Sequence, residues 1–317
     1  MLRISEPPPR VLADLGPHEG PVLIAIGGMH GNEPEGVEAI RRVTAAVQER
    51  QSQMRGRWVG LTGNRQALAQ NRRYLDTDLN RGWDRDSLWT GGSNPSAALS
   101  EESERSELTD VLRRLRQSQP GRWTILDLHS TSSPGPPFSV MNDTPANRGL
   151  ARALGLPAIL GIAAILQGTL LGAAADDLVA SLGIEGGAQG EADTIDMHVS
   201  ILWAGLVHAG ILDPDQVPDR ADHRHRLNTH RHLPEFVEVC YRHGIGAEDQ
   251  FKMVGGFHNF QAVQQSTVLA QDRHGEVRCP EDGILLLPLY QEMGDEGFFL
   301  GRSLPPGSPP TSEGWPC

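Results

Sequence analysis

His30 and Glu33 lie three residues apart in GGMHGNEP, directly after a short apolar run. An imidazole and a carboxylate at that spacing can reach one metal ion from a single tight loop. A second histidine, His129, stands near the polar end of WTILDLHST. Two imidazoles and one carboxylate form a donor set that suits zinc and leaves a coordination position open for water. Asp127, two residues before His129, is placed to orient that ring. Taken alone, a His-x-x-Glu pair is a frequent chance pattern, and each histidine could be a hydrogen-bonded loop residue. Joint placement at the ends of strand-like runs favours the metal reading.

Two further segments carry chemistry. GNRQALAQNRRYLDTDLNRGW (Gly63–Trp83) concentrates Arg65, Arg72, Arg73 and Arg81 within an acidic chain. Guanidinium forks bind carboxylates bidentately, although Asp76 and Asp78 could equally serve these arginines in a salt-bridged loop. Asp78 also suits an inward role, as an orienting group or a metal ligand. GIEGGAQG (Gly183–Gly190) sets Glu185 among apolar and glycine residues. A carboxylate there is either a buried liability or a general base, and both readings stand on the residues alone.

The elements that must hold these groups follow from periodicity. Pro21–Pro34 reads as a buried strand and a loop, and Glu35–Arg50 as an amphipathic helix. Trp58–Asn64 and Trp123–Thr131 read as strands, Gly82–Pro95 as a loop and Ser100–Gln117 as a helix. Gly155–Ala175 is uncharged and long enough to span a bilayer, but Pro157, Gln167, Thr169 and several glycines interrupt it. It reads instead as a buried strand (Leu156–Ala163), a turn and a helix running on to Leu182. A short strand (Gly183–Gly187) and a helix (Asp193–Ala209) follow. Strands alternating with helices predict an α/β sandwich with a mixed, mostly parallel sheet.

Beyond Ile211 the composition changes. Asp213–Arg231 is polar and contains His223, His225 and His230, with His232 just beyond it. Such a tract can bind metal, but a solvated linker is the commoner case. After Pro234 the chain alternates, with hairpin turns expected at His274-Gly275 and Asp282-Gly283. The expected organisation is a catalytic α/β domain over 1–212, a linker over 213–233, a small all-β domain over 234–300 and a disordered tail over 301–317.

Composition sets outer bounds. The 317-residue chain has 38% hydrophobic residues and 36 glycines, enough for a sizeable core. Its 40 acids against 28 bases give a net charge of −12, the wrong sign for a nucleic-acid binder. The N-terminus has no apolar signal region. Cys240, Cys279 and Cys317 are scattered and form no disulfide framework, so a cytoplasmic location is expected. No membrane association is expected, and a homo-oligomer is compatible with the chain.

GGMHGNEPEG, NRQALAQNRRYLDTDLNR, LDLHSTSS and GIEGGAQG occur in the order found in the succinylglutamate desuccinylase/aspartoacylase family, which this chain resembles from about Val22 to Gly190. The resemblance implies a zinc-carboxypeptidase-like fold and a Zn2+-dependent amidohydrolase acting on a small-molecule N-acyl amino acid. It further implies His30, Glu33 and His129 as zinc ligands and Arg65 as the group polarising the scissile carbonyl. Asn80 and Arg81 would hold a substrate carboxylate, and Glu185 would be the general base. Two departures bear on the substrate. No Arg or Lys occurs between Arg152 and Arg220, and Phe298 and Phe299 stand where the family carries a pocket tyrosine. A carboxypeptidase acting on peptide-like substrates would share the zinc set. A non-catalytic zinc or carboxylate binder would need neither Glu185 nor Arg65.

Overall fold

The computed structural model describes residues 2–90, 100–175, 179–305 and 307–309. Its framework is an 11-stranded sheet built on the buried runs noted above. In the first half of the chain the strands are β1 (Val11–Leu15), β2 (Val22–Gly27), β3 (Arg57–Thr62), β4 (Trp123–Thr131), β5 (Phe138–Met141), β6 (Ala158–Leu160) and β7 (Val179–Ala188). The second half adds β8 (Phe236–Gly244), β9 (Lys252–Met253), β10 (Gln261–Val263), β11 (Val268–Asp272), β12 (Gly275–Arg278), β13 (Gly283–Leu286) and β14 (Glu296–Ser303). The large sheet runs β1-β3-β2-β4-β7-β5-β6-β8-β14-β13-β10, and β12-β11-β9 form a small antiparallel sheet. β3, β2, β4 and β7 are mutually parallel, so their C-terminal ends share one edge.

The helices are α1 (Glu35–Gln48), α2 (Arg65–Gln70), α3 (Arg85–Thr90), α4 (Ser100–Ser118), α5 (Pro145–Leu154), α6 (Ile162–Ile165), α7 (Leu170–Ala174), α8 (Ala192–His208) and α9 (Arg220–Asn228). They cover both sheet faces, and strand alternation decides which residue meets which layer. Leu23 and Ala25 of β2 pack with Ile40 and Val43 of α1 and Ile201 of α8. Val22, Ile24 and Ile26 pack with Leu108 and Leu112 of α4 on the other face. A strand covered on both faces reads as a continuous apolar run, which is why β2, β3 and β4 are recognisable.

Several expectations are corrected. The helix expected to reach Leu182 stops at Ala174, and β7 already begins at Val179. β7 lies between β4 and β5 with both faces covered, so its VASLGIEG run carries no alternation to separate it from a helix. The strand expected over Leu156–Ala163 is limited to Ala158–Leu160. The Gly82–Pro95 loop contains α3 before passing outside the described residues. The segment 213–233, expected as a linker, holds α9, which packs on α8. His274-Gly275 does join a hairpin, but Asp282-Gly283 does not: β12 pairs with β11 and β13 with β10 and β14, in different sheets. The strands after Pro234 also extend the main sheet through the β6–β8 pairing. β14 runs on to Ser303, and most of the expected disordered tail, with Cys317, lies outside the described residues. Among the described residues no helix is long and apolar enough to cross a membrane.

Candidate active site

His30 and Glu33 occupy the loop that leaves β2. Gly28 opens it at φ +70°, a left-handed conformation that favours glycine. Gly31 lets the loop touch its neighbour: a β-carbon there would collide with the Ala67 backbone and the Arg72 carbonyl. Gly31 N–H also donates to Arg73 O at 3.0 Å, which binds the His30 loop to the arginine segment. His129 comes from the end of β4. Directly opposite it in register, on β7, is Glu185. Parallel strands thus deliver all four groups to one edge of the sheet, the usual place for a site in such folds.

The three expected metal ligands meet. One donor atom from each of His30, Glu33 and His129 lies within 4.8 Å of the other two, and all three side chains are buried. Glu33 Oε1 is 2.9 Å from His30 Nδ1, and Glu33 Oε2 is 2.9 Å from His129 Nδ1. Burial alone would raise the Glu33 carboxyl, but the two imidazoles hold it well below the usual carboxylate range. Burial also works against a charged His129, yet Asp127, 3.0 Å from its Nε2, and Glu33 lift its pKa well above 6.5. A buried carboxylate between two imidazoles is a donor set that fits zinc.

Glu185 belongs to the wall of the same cavity. Its Oε2 is buried and has no hydrogen-bond partner among the described residues. Burial is the main cause that raises its carboxyl to about 7; Glu33 adds to the rise and His129 opposes it. Behind it, His198 of α8 packs its ring against Gly186, where a β-carbon would strike it. Burial pushes that imidazole down to about 4, so it is neutral.

The arginine segment divides. Asn64 caps α2 by accepting the Ala67 N–H, and Asn71 ends it in the left-handed region at φ 52°. The chain then turns back, and Glu101 of α4 fixes the return by accepting N–H groups from Leu75, Asp76 and Thr77. Arg73 is thereby aimed at the cavity, 3.5 Å from Glu33 and 3.3 Å from Asp78. Arg65, at the start of α2, faces the opposite way: it donates to Pro8 O at 2.8 Å and to Glu107 at 2.6 Å and is absent from the cavity wall. The assignment of Arg65 to the scissile carbonyl therefore does not agree with the geometry. Asn80 and Arg81 do line the cavity. Asn80 Oδ1 accepts Leu170 N–H at 2.9 Å, and Arg81 is 3.8 Å from Glu296. Asp78 turns inward as allowed above, 3.3 Å from His30 Nε2; His30, Arg73 and Arg81 outweigh burial and hold it ionised.

Nothing in the residue pattern singles out Glu35 or Glu101. Glu35 opens α1, where an acid is ordinary, yet it is buried and takes Ser130 O–H at 3.0 Å and Gly190 N–H at 2.8 Å. It thus joins the ends of β4 and β7 beside the donor set. Both acids lie at helix starts, so only their burial distinguishes them.

The cavity volume is about 180 Å³. Val140, Met141, Leu166, Leu171, Leu287 and Phe299 form its apolar wall. Arg73 and Arg81 are its only lysine or arginine side chains among the described residues. Phe298 points to the C-terminal core instead. Tyr290 also turns away, its hydroxyl donating to Val254 O at 2.7 Å.

The family model of the succinylglutamate desuccinylase/aspartoacylase catalytic domain matches residues 19–201. Solved structures share the fold at low identity. A succinylglutamate desuccinylase from Silicibacter sp. TM1040 superposes with a TM-score of 0.64 at 18% identity, covering 91% of this chain and 88% of that one. The ectoine utilization protein EutE (DoeB) from Ruegeria pomeroyi gives 0.64 at 18% identity, over 92% and 87%. Murine aminoacylase 3 gives 0.60 at 16% identity, over 89% and 94%. With more than half its length matched, the chain belongs to the succinylglutamate desuccinylase/aspartoacylase family. Members of that family are deacylating hydrolases that act on amides.

Proposed function

We propose that the chain is a zinc-dependent, cytoplasmic deacylase that hydrolyses the amide bond of an N-acyl amino acid bearing one recognised carboxylate and an apolar remainder. The observation that carries this reading is the convergence of His30, Glu33 and His129 with Glu185 and two arginines in one cavity. Zinc held by those three donors would supply Lewis acidity and bring the pKa of a water towards ~7. Glu185 takes a proton from the attacking water at its free Oε2 and passes it to the leaving amine. Arg73 donates to the scissile carbonyl oxygen as charge develops there, and Arg81 with Asn80 orients the substrate carboxylate. The apolar wall takes the acyl group or side chain. A non-catalytic binder would have no use for an unpaired buried Glu185.

Chelation-sensitive release of free amine from a panel of N-acyl amino acids tests this reading, and release only from peptide C-termini would favour the carboxypeptidase. Within the panel, N-acetyl derivatives of apolar amino acids should exceed N-acetylaspartate and N-succinylglutamate in kcat/KM by about tenfold or more, because a second buried carboxylate without a partner costs several kcal/mol. A tenfold advantage for either diacid would reveal a cationic partner in the cavity and overturn the substrate class.

The two arginines can be separated. Arg73→Ala should lower kcat by about 10²–10³, the usual cost of losing one oxyanion donor. Arg65→Ala should leave kcat within about threefold and cost only the little that an exposed ion pair contributes. The reverse ranking would restore Arg65 to the reaction.

A further inference from the structure

The polar, histidine-rich tract has no part in the catalytic cavity, and its structure gives it a separate one. α9 lies across α8, with His223 Nδ1 3.0 Å from Ser200 Oγ and its ring 6.5 Å from that of Trp203. Between α9, α8 and the end of α5 the packing leaves a groove of about 330 Å³. Its floor is apolar, formed by Leu154, Trp203, Ala204, Val207 and Leu227. Arg220, Arg224 and Arg231 stand around it, with His208 and His223, and among the described residues no carboxylate lines it.

The arginines at this rim are not engaged in ion pairs with described residues, and the carboxylates near His223 are those of Asp219, Asp222 and Asp196. Arg226, on the same helix, faces Asp196 at 3.5 Å, and Arg152, at the end of α5, pairs with Glu235. Arg220, Arg224 and Arg231 form no ion pair with any described residue. In a chain with 40 acids and 28 bases, three neighbouring free guanidinium groups over an aromatic floor make a local positive field that complements an anion. A solvated helix face would account for exposed arginines, but not for a concave apolar floor beneath them.

We propose that this groove binds a small organic anion, a carboxylate carried on an apolar or aromatic body, at a site separate from the catalytic cavity. The body rests against Trp203 and Leu227, and the carboxylate meets the guanidinium forks of Arg220 and Arg224. No residue is shared with the catalytic cavity, so the inference does not rest on the proposed reaction.

The test is fluorescence titration of the full-length protein with N-dansylglycine, and with dansylamide as the uncharged counterpart. Dansylglycine should bind saturably, and dansylamide about tenfold or more weakly. Arg220→Ala/Arg224→Ala should weaken dansylglycine by about tenfold or more, the loss expected for a charge-assisted fork. Both side chains are exposed, so the fold should be unaffected, as circular dichroism would verify. Dansylglycine also carries the single carboxylate and apolar body proposed for a ligand of the catalytic cavity, so the titrations are repeated in the Arg81→Ala background, where saturable binding that depends on Arg220 and Arg224 should persist. The proposal is overturned if binding is absent or unaffected by the Arg220/Arg224 change, or if dansylamide binds equally well. It is also overturned if Arg81→Ala alone removes binding, which places the anion in the catalytic cavity. A dimer that the Arg220/Arg224 change dissociates would make a second copy of the chain the occupant, and would overturn it likewise.

Discussion

Replacing His30 and His129 together by alanine is expected to remove bound zinc and turnover in one step, leaving the activity of the chelator-treated protein. Glu33 would be the sole remaining donor of a set whose atoms now lie within 4.8 Å of one another, and one carboxylate does not retain zinc against buffer. The change also has a folding cost. Glu33 is 3% exposed and bonded to both imidazoles; without them it keeps only Arg73 at 3.5 Å and the Ser130 N–H at 3.2 Å, and a buried charge that loses most of its partners is destabilising unless it takes up a proton. Metal content should therefore be measured by mass spectrometry on the monodisperse folded fraction, beside wild type carried through the same chelation and zinc reloading. About one ion per wild-type chain and none in the variant is the expected result. Full occupancy in the variant would reject the site.

The ease with which the donor set is recognised has a physical basis. β2 and β4 are buried on both faces, so β2 is a continuous apolar run and β4 is apolar apart from Thr124 and Asp127, and His30 and His129 stand where those runs become polar. The arginines lacked such a marker. Arg65 and Arg73 are eight positions apart in one polar segment, and composition does not distinguish them. The left-handed turn at Asn71 and the reach of Glu101 from α4 decide which one faces the cavity; the second is a contact distant in sequence. The same limit applies to the tract after Asp213. α9 buries only Leu227, too little periodicity to mark a helix, because α8 supplies most of the surface that holds it. β7 is only partly recognisable for the opposite reason: a strand enclosed on both faces is as uniformly apolar as a buried helix.

Glu185→Gln should keep its zinc and lose about 10²–10⁴ in kcat, the contribution typical of a positioned general base. Metal is kept because Glu185 is outside the donor set. Glutamine has nearly the same shape but cannot take the proton, so KM should change far less than kcat. A measurement on the metal-free protein tests the residue's charge independently of turnover. Burial raises the Glu185 carboxyl from 4.5 to about 7. The stability contributed by a carboxyl raised in this way is fully present below its unfolded value and is lost as pH rises through the folded one. Glutamine, neutral at every pH, suffers no such loss. Between about pH 5 and about pH 8, then, the Tm of the metal-free wild type should fall relative to that of Glu185→Gln. Parallel Tm curves would show that Glu185 is not held as a buried acid. Normal turnover in the zinc-loaded variant would make the residue structural and require another base.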